Sequence, residues 1–207
     1  MKLCLLVLLL CGSIVIAGNA WSQETPPAQL AKLVESLNAA GGNAWLRRAD
    51  PPRNWECGVD FPAKTTDEAL KAVGETKGLI AIRILKGGVT DKGLGYIQKL
   101  PDIEVLIVYS ADVTDEGLKS IGKLSTLTKL DIAGPRVTSK GLAYLNKLGR
   151  LKELYLYGAD IRDEDLQPLK KLKELLYLDL PNGVSETVLA DLQRALSRTN
   201  IRRRSIL

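Results

Sequence analysis

The side chains whose spacing could do chemistry in this sequence are carboxylates. Asp131 and Asp179 stand 48 residues apart, and so do Asp112 and Asp160. Carboxylates that meet in space can share a cation or divide the roles of general acid and base. Asp163-Glu164-Asp165 forms a third acidic group. The partners of such chemistry are missing. The chain contains no histidine, which removes the commonest general base and the commonest metal ligand together. Cys57 therefore has no imidazole to activate it as a nucleophile. No glycine-rich phosphate loop occurs, and Gly87-Gly88 reads as a corner between two elements.

The elements that must position these carboxylates repeat. Val89-Thr90-Asp91-Lys92-Gly93-Leu94 recurs 24 residues later as Val113-Thr114-Asp115-Glu116-Gly117-Leu118. It recurs again as Val137-Thr138-Ser139-Lys140-Gly141-Leu142, and more loosely as Ile161-Arg162-Asp163-Glu164-Asp165-Leu166. Thr65 to Leu70 lies one period earlier, and Val184 to Leu189 closes the series one residue short of the full period. Ahead of each block runs an L-x-x-L-x-L pattern: Leu79, Ile82, Ile84; Ile103, Leu106, Val108; Leu127, Leu130, Ile132; Leu151, Leu154, Leu156; Leu175, Leu178, Leu180. This pattern predicts one strand per copy. After each block, apolar residues three apart (Leu94, Ile97, Leu100 and their equivalents) predict a helix with one face inward. Thr66, Thr90, Thr114, Thr138 and Ser185 stand where a side-chain oxygen can cap that helix.

The repeat decides what the carboxylates can do. Residues at one position of successive strands lie ~4.8 Å apart, so Asp131 and Asp179, two repeats apart, are about 10 Å from each other. Metal–oxygen bonds are ~2.0–2.6 Å, so the pair cannot readily share an ion. Asp112 and Asp160 fail by the same arithmetic. Asp115, Glu116 and the cluster Asp163-Glu164-Asp165 suit the positive end of a helix dipole. No catalytic residue, metal site or cofactor is expected.

The five strand signatures joined to Val-Thr-Asp-x-Gly-Leu blocks resemble those of bacterial leucine-rich-repeat proteins. The resemblance runs from about Phe61 to Leu196. It implies an α/β fold, a short right-handed β/α horseshoe with a parallel sheet on the concave face and helices on the convex face. It also implies that the protein recognises other proteins; the lack of histidine and of any convergent polar cluster is what speaks against an enzyme. One departure is local: Gly87, Ala111, Pro135 and Ala159 follow the strands, where many such repeats carry Asn, Thr or Cys.

The ends differ from the array. Lys2, the apolar run from Leu3 to Ala17 and the small residues Gly18-Asn19-Ala20 form an export-signal pattern over residues 1–20, too short for a membrane span of ~20 apolar residues. The retained form of this segment would be an anchor. Once cleaved, the chain keeps Cys57 alone and can form no internal disulfide. The expected exported product is secreted, periplasmic or held in the cell envelope. Residues 21–61 read as an N-terminal cap, with an amphipathic helix (Leu30, Leu33, Val34, Leu37) ended by Gly41-Gly42, then two strands, Ala44–Arg48 and Trp55–Phe61. Trp45 and Trp55 are expected to cover the first repeat. Residues 62–198 form the array, closed by a helix carrying Leu189, Leu192 and Leu196. Residues 199–207 read as a basic tail, where Arg202-Arg203-Arg204 would be solvated or would touch an anionic surface such as phospholipid. The net charge of +5 gathers near this end, so it describes no basic groove, and nucleic acid is not an expected partner.

Strand alternation leaves the candidate site on the concave face. Arg83 and Leu85 come from the first repeat strand, then Val105, Ile107 and Tyr109. Asp131 follows from the third strand, Tyr155 and Tyr157 from the fourth, and Tyr177 and Asp179 from the fifth. Lys129 and Glu153 lie among them, and Ala133 leaves a notch between Tyr109 and Tyr157. Clustered aromatic and aliphatic side chains on an open sheet suit a protein or peptide ligand, although tyrosine and valine also favour strands for their own sake. The alternative is a structural, self-associating module of the cell envelope.

Overall fold

A computed structural model of the chain describes residues 28–48, 55–62, 65–74, 76–85, 87–110, 112–133, 136–157 and 161–204. The export-signal segment, the link between the two cap strands, and the corner residues Ala111, Pro135 and Ala159 lie outside the described residues.

The cap comes first. Helix α1 (Ala28–Ala39) buries Val34 and Leu37, and Gly41, at φ 84°, turns the chain in the left-handed region that glycine enters without strain. Strands β1 (Asn43–Arg48) and β2 (Trp55–Phe61) then pair antiparallel. From β2 onward every neighbour in the main sheet is parallel. The order is β1, β2, β4 (Leu79–Ile84), β6 (Val105–Tyr109), β7 (Lys129–Ala133), β8 (Glu153–Tyr157), β9 (Tyr177–Pro181) and β10 (Asn200–Arg204). Two short strands, β3 (Thr65–Thr66) and β5 (Gly87–Gly88), make a small second sheet. Each crossover carries helix: α2 (Asp67–Val73), α3 (Asp91–Ile97), α4 (Asp115–Ile121) and α5 (Ser139–Tyr144), then a 3-10 helix over Asp163–Lys171, then α6 (Glu186–Ala195). Successive helices touch along the array. All fifteen strand leucines, isoleucines and valines of the repeated signature are buried, as are the twelve helix positions from Leu94 to Leu172. The core is one continuous layer between sheet and helices.

The Val-Thr-Asp-x-Gly-Leu block is a clamp between repeats. Asp67 accepts from the Thr90 amide and from the Thr90 hydroxyl, both at 2.8 Å. Asp91 receives Thr114 in the same way at 2.8 and 2.6 Å, and Asp115 receives Thr138 at 2.8 and 2.7 Å. The glycine three residues after each of these threonines makes room for this. A β-carbon on Gly93, Gly117 or Gly141 would stand 2.3, 2.5 or 2.3 Å from the carboxylate oxygen of the preceding repeat. The threonines also cap their own helices, accepting from Lys92, Glu116 and Lys140 amides at 3.2–3.3 Å. Thr66, where a cap was expected, makes no such bond.

The fourth copy breaks the motif in a compensating way. Ser139 replaces the aspartate, so no carboxylate from that repeat reaches forward. Asp165, in the glycine position, instead reaches back to the Ser139 amide at 3.1 Å and holds the Arg162 amide at 3.0 Å. Asp163 accepts from the Ser185 amide of the next copy at 3.0 Å. The acidic cluster is therefore a joint between three copies as well as the acidic start of a helical turn, and the segment winds as a 3-10 helix that contains Pro168.

One expectation is corrected. Residues 199–207 do not all project as a basic tail: Asn200–Arg204 is strand β10, parallel to β9. It supplies partners for the backbone groups at the edge of β9: Asn200 donates to the Leu176 carbonyl at 2.8 Å, and the Thr199 hydroxyl donates to the Leu175 carbonyl at 2.8 Å. Ile201 packs against the core. Arg203 occupies the position of a core leucine, and its guanidinium escapes to Glu186 and to the Val184 carbonyl. That substitution hid the strand in the sequence.

Candidate functional site

The register sets three rows across the sheet face opposite the core. The first is Gly58, Ala81, Val105, Lys129, Glu153, Tyr177 and Asn200. The second is Asp60, Arg83, Ile107, Asp131, Tyr155, Asp179 and Arg202. The third aligns Tyr109, Ala133 and Tyr157, with Pro181 and Arg204 paired further along. Nine of the ten candidate residues lie in these rows, and Leu85 directly follows β4, 46% exposed. They do not form one contact group. Arg83 belongs to the cap side, Tyr177 is exposed at the other side, and the tyrosines and aspartates meet in the middle.

In that middle, tyrosines of the third row lean over carboxylates of the second. The Tyr109 hydroxyl donates to Asp131 Oδ2 at 2.9 Å, and the Tyr157 hydroxyl reaches Asp179 Oδ2 at 3.4 Å. The rings of Tyr155 and Tyr157 stack with centroids 6.3 Å apart. Tyr155 donates to Glu153 at 3.0 Å, while Lys129 pairs with Glu153 at 2.8 Å and lies 4.9 Å from the Tyr155 ring centroid. The lean over the aspartates explains why Asp131 and Asp179 are buried although they sit on the open face.

Burial sets the proton affinities. It pushes Tyr155 up to about 12, with help from its bond to Glu153. It raises Tyr109 too, and the bond to Asp131 adds to that. Asp131 is raised by desolvation, which outweighs the Tyr109 bond and the Lys129 charge, while the Asp179 charge adds to the rise. Glu153 moves the other way. Desolvation pushes it up, but its bonds from Lys129 and Tyr155 and the Lys129 charge prevail.

The face includes residues the sequence reading did not place there. Trp45 pairs with Gly58 and lies on this face, where a β-carbon at Gly58 would come 2.1 Å from its ring. Its indole N–H donates to Asp60 at 3.3 Å, and Arg83 lies 5.9 Å from its ring centroid. The expectation that Trp45 covers the first repeat is thus corrected: Ala44 and Leu46 turn to the core, and the alternation of β1 puts Trp45 outside. That alternation was the available signal. The side chain of Trp55 lies outside the described residues. Arg204 is the other addition, 3.1 Å from Asp179, and it could be placed only after β10 was known.

Among the described residues no group of three or more acidic, cysteine or histidine side chains could hold a metal ion. Cys57 is buried, and burial pushes its thiol up to about 12, away from the reactive thiolate.

No protein-family model matches the chain, and no curated protein matches it. Solved structures do. An internalin (inlF) of Listeria monocytogenes superposes with TM-score 0.54 at 20% identity, over 67% of this chain and 38% of that one. The chain thus spans well under half of that protein. The ectodomain of the Arabidopsis thaliana receptor kinase SOBIR1 aligns over 86% of this chain with TM-score 0.35 at 16% identity. The fold is a leucine-rich-repeat solenoid. Its concave face is the sheet surface just described.

Proposed function

We propose that this chain is an exported recognition scaffold that binds a protein or peptide on its concave sheet. The observation that carries the reading is the set of Val105, Ile107, Tyr109, Tyr155, Tyr157 and Tyr177 on one face of three parallel strands, β6, β8 and β9, with Lys129, Asp131 and Ala133 of β7 between them. Tyrosine offers a large contact area with few rotatable bonds and a polar tip, which suits it to interfaces. The tyrosines are also held in place before any ligand arrives, because three of their hydroxyls are bonded to carboxylates. Pre-organisation of this kind lowers the ordering cost of association.

Export rests on the signal pattern at residues 1–20, and among the described residues no helix is long and apolar enough to cross a membrane. A catalytic reading has no support in the geometry: the buried thiol is not activated, and the buried carboxylates are bonded by tyrosines on an open sheet. The test is a pull-down of the exported chain from its own envelope or culture fraction, followed by affinity measurement with the partner identified. Tyr155→Ala combined with Tyr157→Ala is expected to weaken that complex at least tenfold. Unchanged affinity would end this reading, and concentration-dependent light scattering with no foreign partner would favour the self-associating module instead.

A further inference from the structure

The carboxylates of the concave face are not treated alike. Asp60 has Arg83 at 2.6 Å, Glu153 has Lys129 at 2.8 Å, and Asp179 has Arg204 at 3.1 Å. Asp131 has no cation in contact among the described residues. It is 8% exposed, its Oδ2 is held by Tyr109, and its Oδ1 is buried with no hydrogen-bond partner. A carboxylate that is desolvated and unpaired destabilises the fold. Lys129, one row away, is committed to Glu153.

The surroundings say what is missing. Two residues along β7 from Asp131 is Ala133, flanked in register by Tyr109 and Tyr157. These two tyrosines are separated by two strand spacings, ~10 Å. Ala133 fills none of that space beyond its β-carbon. The Tyr109 ring leans toward Asp131 and the Tyr157 ring toward Asp179, and a flat group can lie against a ring face at ~3.5–4.0 Å. A guanidinium is flat, stacks on tyrosine rings, and carries five N–H donors and no acceptor. The notch offers acceptors to match: the hydroxyl oxygens of Tyr109 and Tyr157, with the Asp131 carboxylate held directly against the Tyr109 hydroxyl at 2.9 Å.

We propose that the Tyr109–Ala133–Tyr157 notch receives an arginine side chain of the bound protein or peptide, with Asp131 as its counter-ion. This inference rests on the recognition reading above and names the chemistry of its partner. The arginine supplies the cation that Asp131 alone lacks, and the two tyrosines exclude water from the pair.

The test uses a phage-displayed random peptide library selected on the immobilised chain. Selected sequences are expected to share an arginine. A synthetic copy of the best binder should lose at least tenfold in affinity, about 1.4 kcal/mol, when that arginine becomes citrulline, which keeps the shape and removes the charge. The same peptide should lose a similar factor on Asp131→Asn, with far-UV circular dichroism confirming that the variant is folded. The citrulline comparison needs no variant protein, so it stands even if the substitution disturbs folding. Peptides that require Tyr155 and Tyr157 but bind equally well without their cation, or equally well to Asp131→Asn, would overturn the arginine site and leave the recognition face intact. Selected peptides indifferent to all four positions, or none selected at all, would count against both.

Discussion

The clamp between repeats predicts that a glycine and an aspartate 26 residues apart are energetically one unit. Asp67 and Gly93 are the clearest pair. Asp67→Ala removes two charge-assisted hydrogen bonds from Thr90, each 2.8 Å long. Such bonds contribute roughly 1.5–3 kcal/mol each where buried; this site is only part-buried, so about 2–4 kcal/mol in total is expected. Gly93→Ala places a β-carbon 2.3 Å from Asp67 Oδ1 and 3.2 Å from Leu70 Cδ1. Overpacking of that kind costs ~1–3 kcal/mol, while alanine in a helix returns ~0.8–1.0 kcal/mol over glycine. In the double variant the carboxylate is gone, the new methyl occupies its space, and only the helix gain remains. The double should then be no less stable than Asp67→Ala alone, which is a coupling of ~1–3 kcal/mol between the two sites. Urea unfolding followed by circular dichroism, with the slope unchanged across the four proteins, measures it. Gly95→Ala supplies the control, because a β-carbon there meets nothing within 4 Å, and it should stabilise by ~0.5–1 kcal/mol. Additivity within ~0.5 kcal/mol would refute the clamp as the reason for the glycine.

Asp131→Asn should raise the melting temperature at pH 7, and the gain should vanish as the pH falls below 3.8, the ordinary value for this group. The sign follows from the raised affinity: the folded chain holds this proton more tightly than the unfolded chain, so the group's contribution worsens as pH rises through the folded value and is worst above it. Asp163 behaves oppositely. Its bonds from Ser185 lower it, so the stability it contributes is present at neutral pH and is lost as pH falls through its folded value, and Asp163→Asn should flatten the acid limb of the stability profile. In ultraviolet titration, Tyr155 should ionise near pH 12 and Tyr109 above its ordinary range, with Asp131→Asn lowering Tyr109. Cys57 should resist alkylation at pH 8 in the folded chain and react fully in urea, as read by peptide mass mapping, since burial holds its thiol near 12.

The repeat was legible because its signal is local and multiplied: the same spacing of leucines, read five times, leaves one arrangement that buries them all. The outward residues of β6 to β9 followed from alternation alone. Elements at the ends were harder, since a terminal strand has a core on one side and solvent on the other. β10 carries Ile201 and Arg203 where β9 carries Leu178 and Leu180, so periodicity could not show it, although its register with β9 is regular. The role of the aspartates was half legible. Their place at the start of a helix suggested the dipole, but the stronger bonds run to the next copy, and only the spatial superposition of one repeat on another reveals them. The glycines follow from the same geometry. The burial of Asp131 and Asp179 also lay beyond the sequence, because it depends on tyrosines of neighbouring strands leaning along the sheet rather than standing perpendicular to it.

These two sets of aspartates separate the architecture from the site. Those of the repeated block each satisfy two donors from the next copy, and their loss should be felt in stability. Asp131 does the reverse: it sits in a row where apolar Ile107 precedes it, is desolvated by a tyrosine and has no cation in contact among the described residues. A neutral side chain there would serve the fold better. Clamps along the helix side of the sheet make the array stiff enough to hold such a group at a fixed place between fixed rings, and stiffness is what a recognition surface needs if a partner's charge is to find its counter-ion without reordering the face. If Asp131→Asn proved less stable than the parent at neutral pH, the carboxylate would be a structural element like the others, and the distinction drawn between clamp and site would fall with it.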